Sequence, residues 1–418
     1  MSTKFEYSIE SVLLTSSVGK ENEIKDLVVG IDFYESLSSP YIKCELSIID
    51  AANLIESAPI IGQEKINLHI KDLNTGNTIK RDFYIASINN YVKGNGQTAM
   101  YVLKLVTAEY MMNSLLLVSQ AFTGTISDSV NKITKDYLKS TIKTVEKTNG
   151  DYKVIIPNWN PYKAIEWLTL RGLSSKGYPF VFYDTLKDGL VFESYETIYA
   201  KSIFNKYVHR GGNTAKDDAD QKAAMMNTAL QYDIIEMSNT GKNILRGAFG
   251  QGMHVIDHAN RSYNFITYDY DKDFKKKDRL DKFPYISDQF TVNNKKLSEY
   301  DAIHTTLYKN SLAFDTTNMN NYNNKGEFTK LESDPFMYQT GLVKITMTVK
   351  GRTDLTVGKV IDFEVERNRP VSINTSKNSN EYLSGKYVVQ NIHHKMESGK
   401  YYIIMDVAKE SLGKKVKK

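Results

Sequence analysis

Short alternating runs of apolar and polar residues fill the first quarter of the chain. Phe33-Tyr34, Tyr41 to Ile49, Ile66 to Ile70, Arg81 to Tyr91 and Met100 to Val106 each predict a strand, because a two-residue period places every second side chain on one face. Turn chemistry separates them: Ser38-Ser39-Pro40, Asp72 to Gly76, and Gly94-Asn95-Gly96, whose residues accept the positive φ of a tight hairpin. Asp50 is placed to cap a short helix over Ala51 to Glu56, after which Pro59 and Gly62 return the chain to a strand. Strands at this spacing predict a barrel or sandwich over residues 1–110.

From about residue 111 the period lengthens. Val130, Ile133, Tyr137 and Leu138 share a helical face over Asp128 to Lys139, with Ser127 as N-cap. A second helix opens at Asn160, a good N-cap, with Pro161 at the first helical position, where its missing N–H costs nothing. Ala164, Ile165, Trp167 and Leu168 fall on one face, and Gly172 is placed to end the helix. Phe180 to Tyr183 and Leu190 to Phe192 read as paired strands about a turn at Asp184 to Gly189. Residues 111–205 are thus expected to form an inserted α/β domain.

Residues 206–222 are polar and Gly-containing, a loop or linker. Met225 to Met237 mixes helical character with the strand-like Tyr232 to Glu236, and Gly241 to Gly252 reads as a turn and a Gly-rich strand. The stretch 264–340, with its Asn-rich Asn318 to Gly326, is the least regular and is expected to be an inserted subdomain or long loops. Strands resume over 341–410: Leu342 to Val349, Val360 to Val365, Tyr387 to Ile392 and Tyr401 to Val407, with a turn at Gly351 to Asp354. No internal repeat is visible residue by residue.

Composition changes this picture little. A chain of 418 residues calls for two to four domains, and 28 Tyr and 17 Phe against only 8 Pro favour strands. The single cysteine, Cys44, excludes an internal disulfide; it shares a face with Ile42, Leu46 and Ile48 and is expected to be a buried thiol. Much of the formal charge of +5 sits between Lys409 and Lys418, so 411–418 is expected to be a solvated, disordered basic tail. No apolar run approaches the roughly 20 residues of a membrane-spanning helix, and no secretory signal is recognisable.

Candidate chemistry is thin. His254 and His258 have the spacing of two metal ligands on a helix, but the glutamate that follows the first histidine in zinc peptidases is replaced by Val255, and the context is strand-like. Asp269, Asp271 and Asp273 open like a calcium loop that then has Phe274 and Leu280 where glycine and glutamate are required. Gly247, Gly250 and Gly252 lack a surrounding βαβ unit, and Val357 to Val360 lacks the hydroxyl of a phosphate loop. Of His393 and His394, strand alternation turns one inward. No Glu or Asp stands in a recognisable catalytic frame. No catalytic, cofactor-binding or metal-ligating residue is assigned, and no cofactor is expected.

Four segments carry a resemblance. The first is Ile48-x-Asp50, a short helix ending Ile55-Glu56-Ser57-x-Pro59-Ile60, then Gly62-x-Glu64. The second is the Asn160-Pro161 helix with Ser174-Ser175, Pro179-Phe180-x-Phe182-Tyr183 and Gly189-Leu190-x-Phe192-Glu193-Ser194. Thr348 to Val360 is the third, and Ser384-Gly385-x-Tyr387 preceding Ile392-x-His394 the fourth. In this order they resemble the central hub protein of contractile phage-tail baseplates, a tail-tube-like barrel family related to type VI secretion spike proteins.

The resemblance implies a mainly β fold with α+β insertions: two tail-tube-like antiparallel β-barrels, at 1–110 and at 206–263 with 341–410, plus the inserted α/β domain. It further implies a non-enzymatic homotrimer whose ring joins a spike protein to the tail tube or a tube initiator, among surrounding baseplate proteins. DNA would pass non-specifically through a lumen neither strongly basic nor rich in hydrophobic patches. The location implied is the virion tail baseplate, after assembly in the host cytoplasm. A spike-associated cell-wall hydrolase and a peripheral receptor- or glycan-binding tail protein remain as alternatives.

Overall fold

The computed structural model describes residues 5–415 apart from 53, 58–59, 95–97, 210–223, 288, 310–324 and 366–378. Among these residues the chain is mainly β, and thirteen strands join one large, almost wholly antiparallel sheet that does not close into a barrel. Its first seven strands are β1 (Tyr7–Thr15), β2 (Glu21–Glu23), β3 (Val28–Ser36), β4 (Lys43–Asp50), β5 (Lys65–Asp72), β6 (Thr78–Lys93) and β7 (Ala99–Val106). Alternation governs each: Cys44, Leu46 and Ile48 of β4 point inward while their neighbours face out. The short α1 (Leu54–Ser57) follows β4 as expected, with Asp50 Oδ2 accepting from the Leu54 amide at 2.7 Å. The hairpin tip expected at Gly94 to Gly96 lies, from residue 95, outside the described residues.

The next stretch runs α2 (Ala108–Leu115), β8 (Val118–Gly124), α3 (Ile126–Asp136), β9 (Thr144–Val145), β10 (Tyr152–Trp159), α4 (Pro161–Thr169), β11 (Phe180–Thr185), β12 (Gly189–Ser194) and α5 (Tyr195–Ala200). Both helices form, but their caps differ from the local expectation. Thr125, not Ser127, caps α3 by accepting from the Asp128 amide; Ser127 is buried against Thr148. At α4 the Asn160 amide group donates to the Asn113 carbonyl, and the Asn113 side chain accepts from the Tyr162 amide at 2.8 Å. A residue of α2 therefore supplies from outside the bond that Asn160 was placed to make. The helix also stops at Thr169, short of Gly172.

The β11–β12 hairpin is buried on both faces. Phe180, Phe182, Leu190 and Phe192 pack into a small core with the apolar faces of α3 and α4, while Val181, Tyr183 and Val191 pack into the core of the large sheet. Alternation lets one hairpin serve two cores, which explains why it reads as a near-continuous apolar run.

The remaining elements are β13 (Ile203–Val208), β14 (Ala229–Met237), α6 (Thr240–Leu245), β15 (Gly250–Asp257), β16 (Ser262–Asp269), α7 (Tyr270–Lys276), β17 (Phe283–Pro284), β18 (Thr291–Val292), β19 (Lys295–Lys296), β20 (Ile303–Lys309), α8 (Lys325–Gln339), β21 (Val343–Lys350), β22 (Val360–Glu364), β23 (Gly385–Glu397), β24 (Lys400–Lys409) and β25 (Ser411–Leu412). The ambiguous stretch before residue 237 resolves as a strand, β14, at one end of the large sheet. The irregular stretch is ordered around its own sheet, β16-β15-β20, and a third core that includes Phe249, Tyr268, Tyr270 and Leu307. The boundary expected at residue 263 falls inside β16, and β15 pairs here rather than with the large sheet. Ser411 and Leu412, where a tail was expected to begin, are buried and pair with β17.

Within the large sheet a pattern repeats. The neighbours β3-β4-β7-β6 follow one another in space as first, second, fourth and third in chain order, and so do β14-β21-β24-β23. The irregularities match too. The first strand of each block is shifted, between Val28 and Gly30 and between Ala229 and Gln231. The third strand is shifted between Ile85 and Ser87 and between Val389 and Asn391. Beside the latter, the amide of Ile85 donates to the Glu64 carbonyl at 3.0 Å, and that of Val389 to the Lys359 carbonyl at 2.9 Å. Bulges placed alike in two blocks are features of design rather than defects.

Because Phe192 is fully buried and stacked on Phe180 at 4.8 Å, Phe192→Ala is expected to cost about 3–5 kcal/mol in urea unfolding. Ile155→Ala, at an exposed strand position, is expected to stay within about 0.5 kcal/mol of the parent. Equal losses at the two positions would contradict this placement of the small core.

Candidate assembly site

The two blocks meet where β23 pairs antiparallel with β3, Asn391 to Glu397 against Gly30 to Ser36. Residues of β3 alternate so that Ile31, Phe33 and Glu35 all point inward, which buries a carboxylate at the seam; Glu35 is only 2% exposed. Glu35 Oε1 accepts from the Leu186 amide in the β11–β12 turn at 2.7 Å, and Oε2 from the Val357 amide at 3.1 Å. One carboxylate thus holds three parts of the chain. His394 lies beside it, with Nε2 at 3.8 Å from Glu35 and Nδ1 at 2.8 Å from the Tyr401 hydroxyl.

Similar contacts surround this point. Asp72, fully buried at the end of β5, accepts from the backbone of Asn74 and, across the seam, from the Thr353 amide at 2.9 Å. Arg81 Nη2 donates to both carboxylate oxygens of Asp184, at 2.8 and 2.6 Å, while Nη1 reaches the Thr185 carbonyl at 2.5 Å. Burial pushes the Asp184 carboxyl up to about 6 against the opposing pull of Arg81. Glu193 accepts from the Tyr183 hydroxyl and from Lys201, which also donates to the Gly358 carbonyl at 3.1 Å. Each buried carboxylate is engaged by amides or cations, as its desolvation requires.

The residues weighed for chemistry make contacts within the fold. Asp269 caps α7, accepting from the Asp271 and Lys272 amides; Asp271 pairs with Lys296, and Asp273 with Lys277 and Arg279 at 2.8 Å each. A calcium loop would need these oxygens turned toward one point. His254 and His258 do not meet. His254 bridges the Tyr263 hydroxyl (2.8 Å) and His304 (3.0 Å), and His258 stacks on Tyr308. Gly250 and Gly252 permit close approach, since a Cβ would lie 2.2 Å from the Tyr300 carbonyl oxygen at Gly250 and 2.5 Å from the Phe265 ring at Gly252. Of the adjacent histidines, His394 is inward and His393 outward, stacked on Tyr34 and 2.6 Å from Asp32. Cys44 is fully buried, which drives its thiol well up.

Glu35, Asp72, Arg81 and Asp184 were not singled out from the sequence. A signal existed for Glu35 and Asp184: each shares the inward parity of Phe33 and Phe182, so an ionisable group was due inside the protein.

This mainly β architecture is that of phage tail proteins, as the sequence resemblance implied. The chain superposes on the tail protein from Neisseria meningitidis MC58 with a TM-score of 0.57 at 12% identity, covering 97% of each chain. It also superposes on the 43 kDa tail protein of prophage MuSo2 from Shewanella oneidensis, with a TM-score of 0.51 at 10% identity over 96% of this chain and 98% of that one. No family model and no curated protein matches the sequence.

Arg81→Met is expected to destabilise the protein at pH 7.5 by about 3–5 kcal/mol, because it strands a buried carboxylate. The folded pKa of Asp184 is raised, so the fold favours its protonated form, and that contribution is lost as pH rises through about 6. The gap between Arg81→Met and the parent should therefore narrow as pH falls from 7.5 to 5 in chemical denaturation. A gap unchanged with pH would show that Asp184 does not carry the effect.

Proposed function

We propose that this chain is the hub of a contractile-tail baseplate, acting as a scaffold rather than as a catalyst. The observation that carries the reading is the repeated block, two four-stranded units of the same order with two bulges placed alike within one chain. A chain with two like units forms a ring of six from three copies, so a homotrimer can seat a six-fold tube on one side and a three-fold spike on the other. In this reading the blocks are the sheets of two tube-like barrels, one within 1–110 and the other within 206–263 and 341–410. Residues 111–205 are an inserted α/β domain, and 264–340, with β15, are a further inserted unit. The partners are a spike protein, a tail-tube or tube-initiator protein and neighbouring baseplate proteins, within the virion tail. DNA crosses the open centre without sequence-specific contact, so its lining is expected to be free of dense Lys/Arg, which would hold phosphates.

The engagement of Glu35, Asp72, Asp184 and Glu193 in tying chain segments together supports a scaffold over a cell-wall hydrolase, which needs a carboxyl pair free to face a sugar. Negative-stain images of the concentrated protein, with its mass in solution, test the proposal. Rings with an open centre at three times the 47.6 kDa chain mass are the expected outcome. Lysis of cell-wall material in a zymogram by the purified chain would overturn the scaffold reading.

A further inference from the structure

The outer face of the β16-β15-β20 sheet gathers side chains that neither the seam nor the cores use. β15 pairs antiparallel with β16 and parallel with β20, which sets His254 opposite Phe265 and Gly252 opposite His304. These positions share one face, because Met253 and Val255 turn the other way into the third core. Two imidazoles 50 positions apart in sequence meet there, with His254 Nε2 at 3.0 Å from His304 Nδ1.

Three neighbours hold the pair in place. The Tyr263 hydroxyl lies 2.8 Å from His254 Nδ1, on the far side of that ring from His304. The Phe265 ring packs beside both imidazoles, its centroid 4.6 Å from that of His254 and 5.6 Å from that of His304. Gly252 makes room beneath, since a Cβ there would press into the Phe265 ring and reach the His304 ring at 3.6 Å. Two nitrogens are thus presented together from paired strands, with a ring on one side and solvent on the other.

We propose that His254 and His304 form a binding site for a divalent transition-metal ion of the copper(II) or nickel(II) class, held through His254 Nε2 and His304 Nδ1. Imidazole nitrogen suits these metals. With metal–nitrogen bonds of about 2.0–2.1 Å, a 3.0 Å separation subtends an angle of about 91–97° at the ion. That is the angle between adjacent ligands of a square-planar or octahedral ion, and is narrower than the tetrahedral angle of structural zinc. Tyr263 sets the tautomer: its oxygen accepts from Nδ1–H of His254, which leaves the lone pair on Nε2. His304 then carries its proton on Nε2, so both ligating nitrogens are free. Among the described residues no group of three or more His, Cys, Asp or Glu is placed to hold a metal, so water completes the coordination and chelators remove the ion. The bound ion links β15 to β20 directly, and the site stands independently of the hub reading.

Calorimetric titration of nickel(II) chloride into the full chain without an affinity tag tests this. One ion per chain is expected, together with a raised thermal unfolding midpoint, because the pair exists only in the folded protein. His254→Ala and His304→Ala are each expected to abolish the heat of binding and the shift while leaving the far-UV circular dichroism of the metal-free chain unchanged. His258→Ala, whose ring stacks on Tyr308 instead, is expected to retain both. Tyr263→Phe keeps the ring but removes the oxygen that orients His254, and is expected to weaken binding about tenfold or more. Absence of binding by the parent chain, or binding that survives either His254→Ala or His304→Ala, overturns the site. Zinc(II) binding tighter than nickel(II) overturns the coordination geometry on which the choice of metal rests.

Discussion

A buried carboxylate needs donors, and Glu35 finds its donors in two segments far from it in sequence. The amide of Leu186 comes from the hairpin shared between cores, and that of Val357 from the second block. Satisfying one desolvated group therefore fixes three segments in a single relative position. Apolar packing alone tolerates sliding, since its energy depends on area rather than direction. Hydrogen bonds at a seam do not, and Asp72 to Thr353 and Arg81 to Asp184 add further fixed points around the same junction. These directed contacts hold the two blocks and the shared hairpin in one constant relation.

Much of the fold was legible as period. Clean alternation in β4 and β21 marked strands whose every second residue is buried, and helical spacing marked α3 and α4. What misled was chemistry completed from a distance. Asn160 has the right side chain for its cap, but Asn113 on α2 reaches that position and leaves Asn160 to bind α2 in return. Edge strand β14 read ambiguously because it is exposed on both faces, so no single period organises its apolar residues. The ordered β16-β15-β20 unit was hidden because its outer face carries Tyr263, Phe265 and Tyr308, which blur the contrast that alternation needs.

The seam was less visible than the fold. A seam is made by residues hundreds of positions apart, and only an inward-facing charge on an otherwise apolar face announces it. The repeat was equally silent in the sequence, because strand order and bulge position are conserved by the two blocks while side chains are not. Ile31 of one block stands where Tyr232 stands in the other, and Leu46 where Met347 stands. Apolar character suffices at such positions, and volume can be redistributed among neighbours.

The seam has a consequence for the time course of synthesis. Ser36 and Asn391, which face each other across β3 and β23 and share a hydrogen bond, are 355 positions apart. At ribosomal rates of about 5–20 residues per second, the edge of β3 waits roughly 20–70 s for its partner to emerge. For that interval the first block is a nascent sheet with an open flank. Folding of the large sheet therefore waits until β23 has been made, and the joining of its halves is governed by closure of a loop of 355 positions.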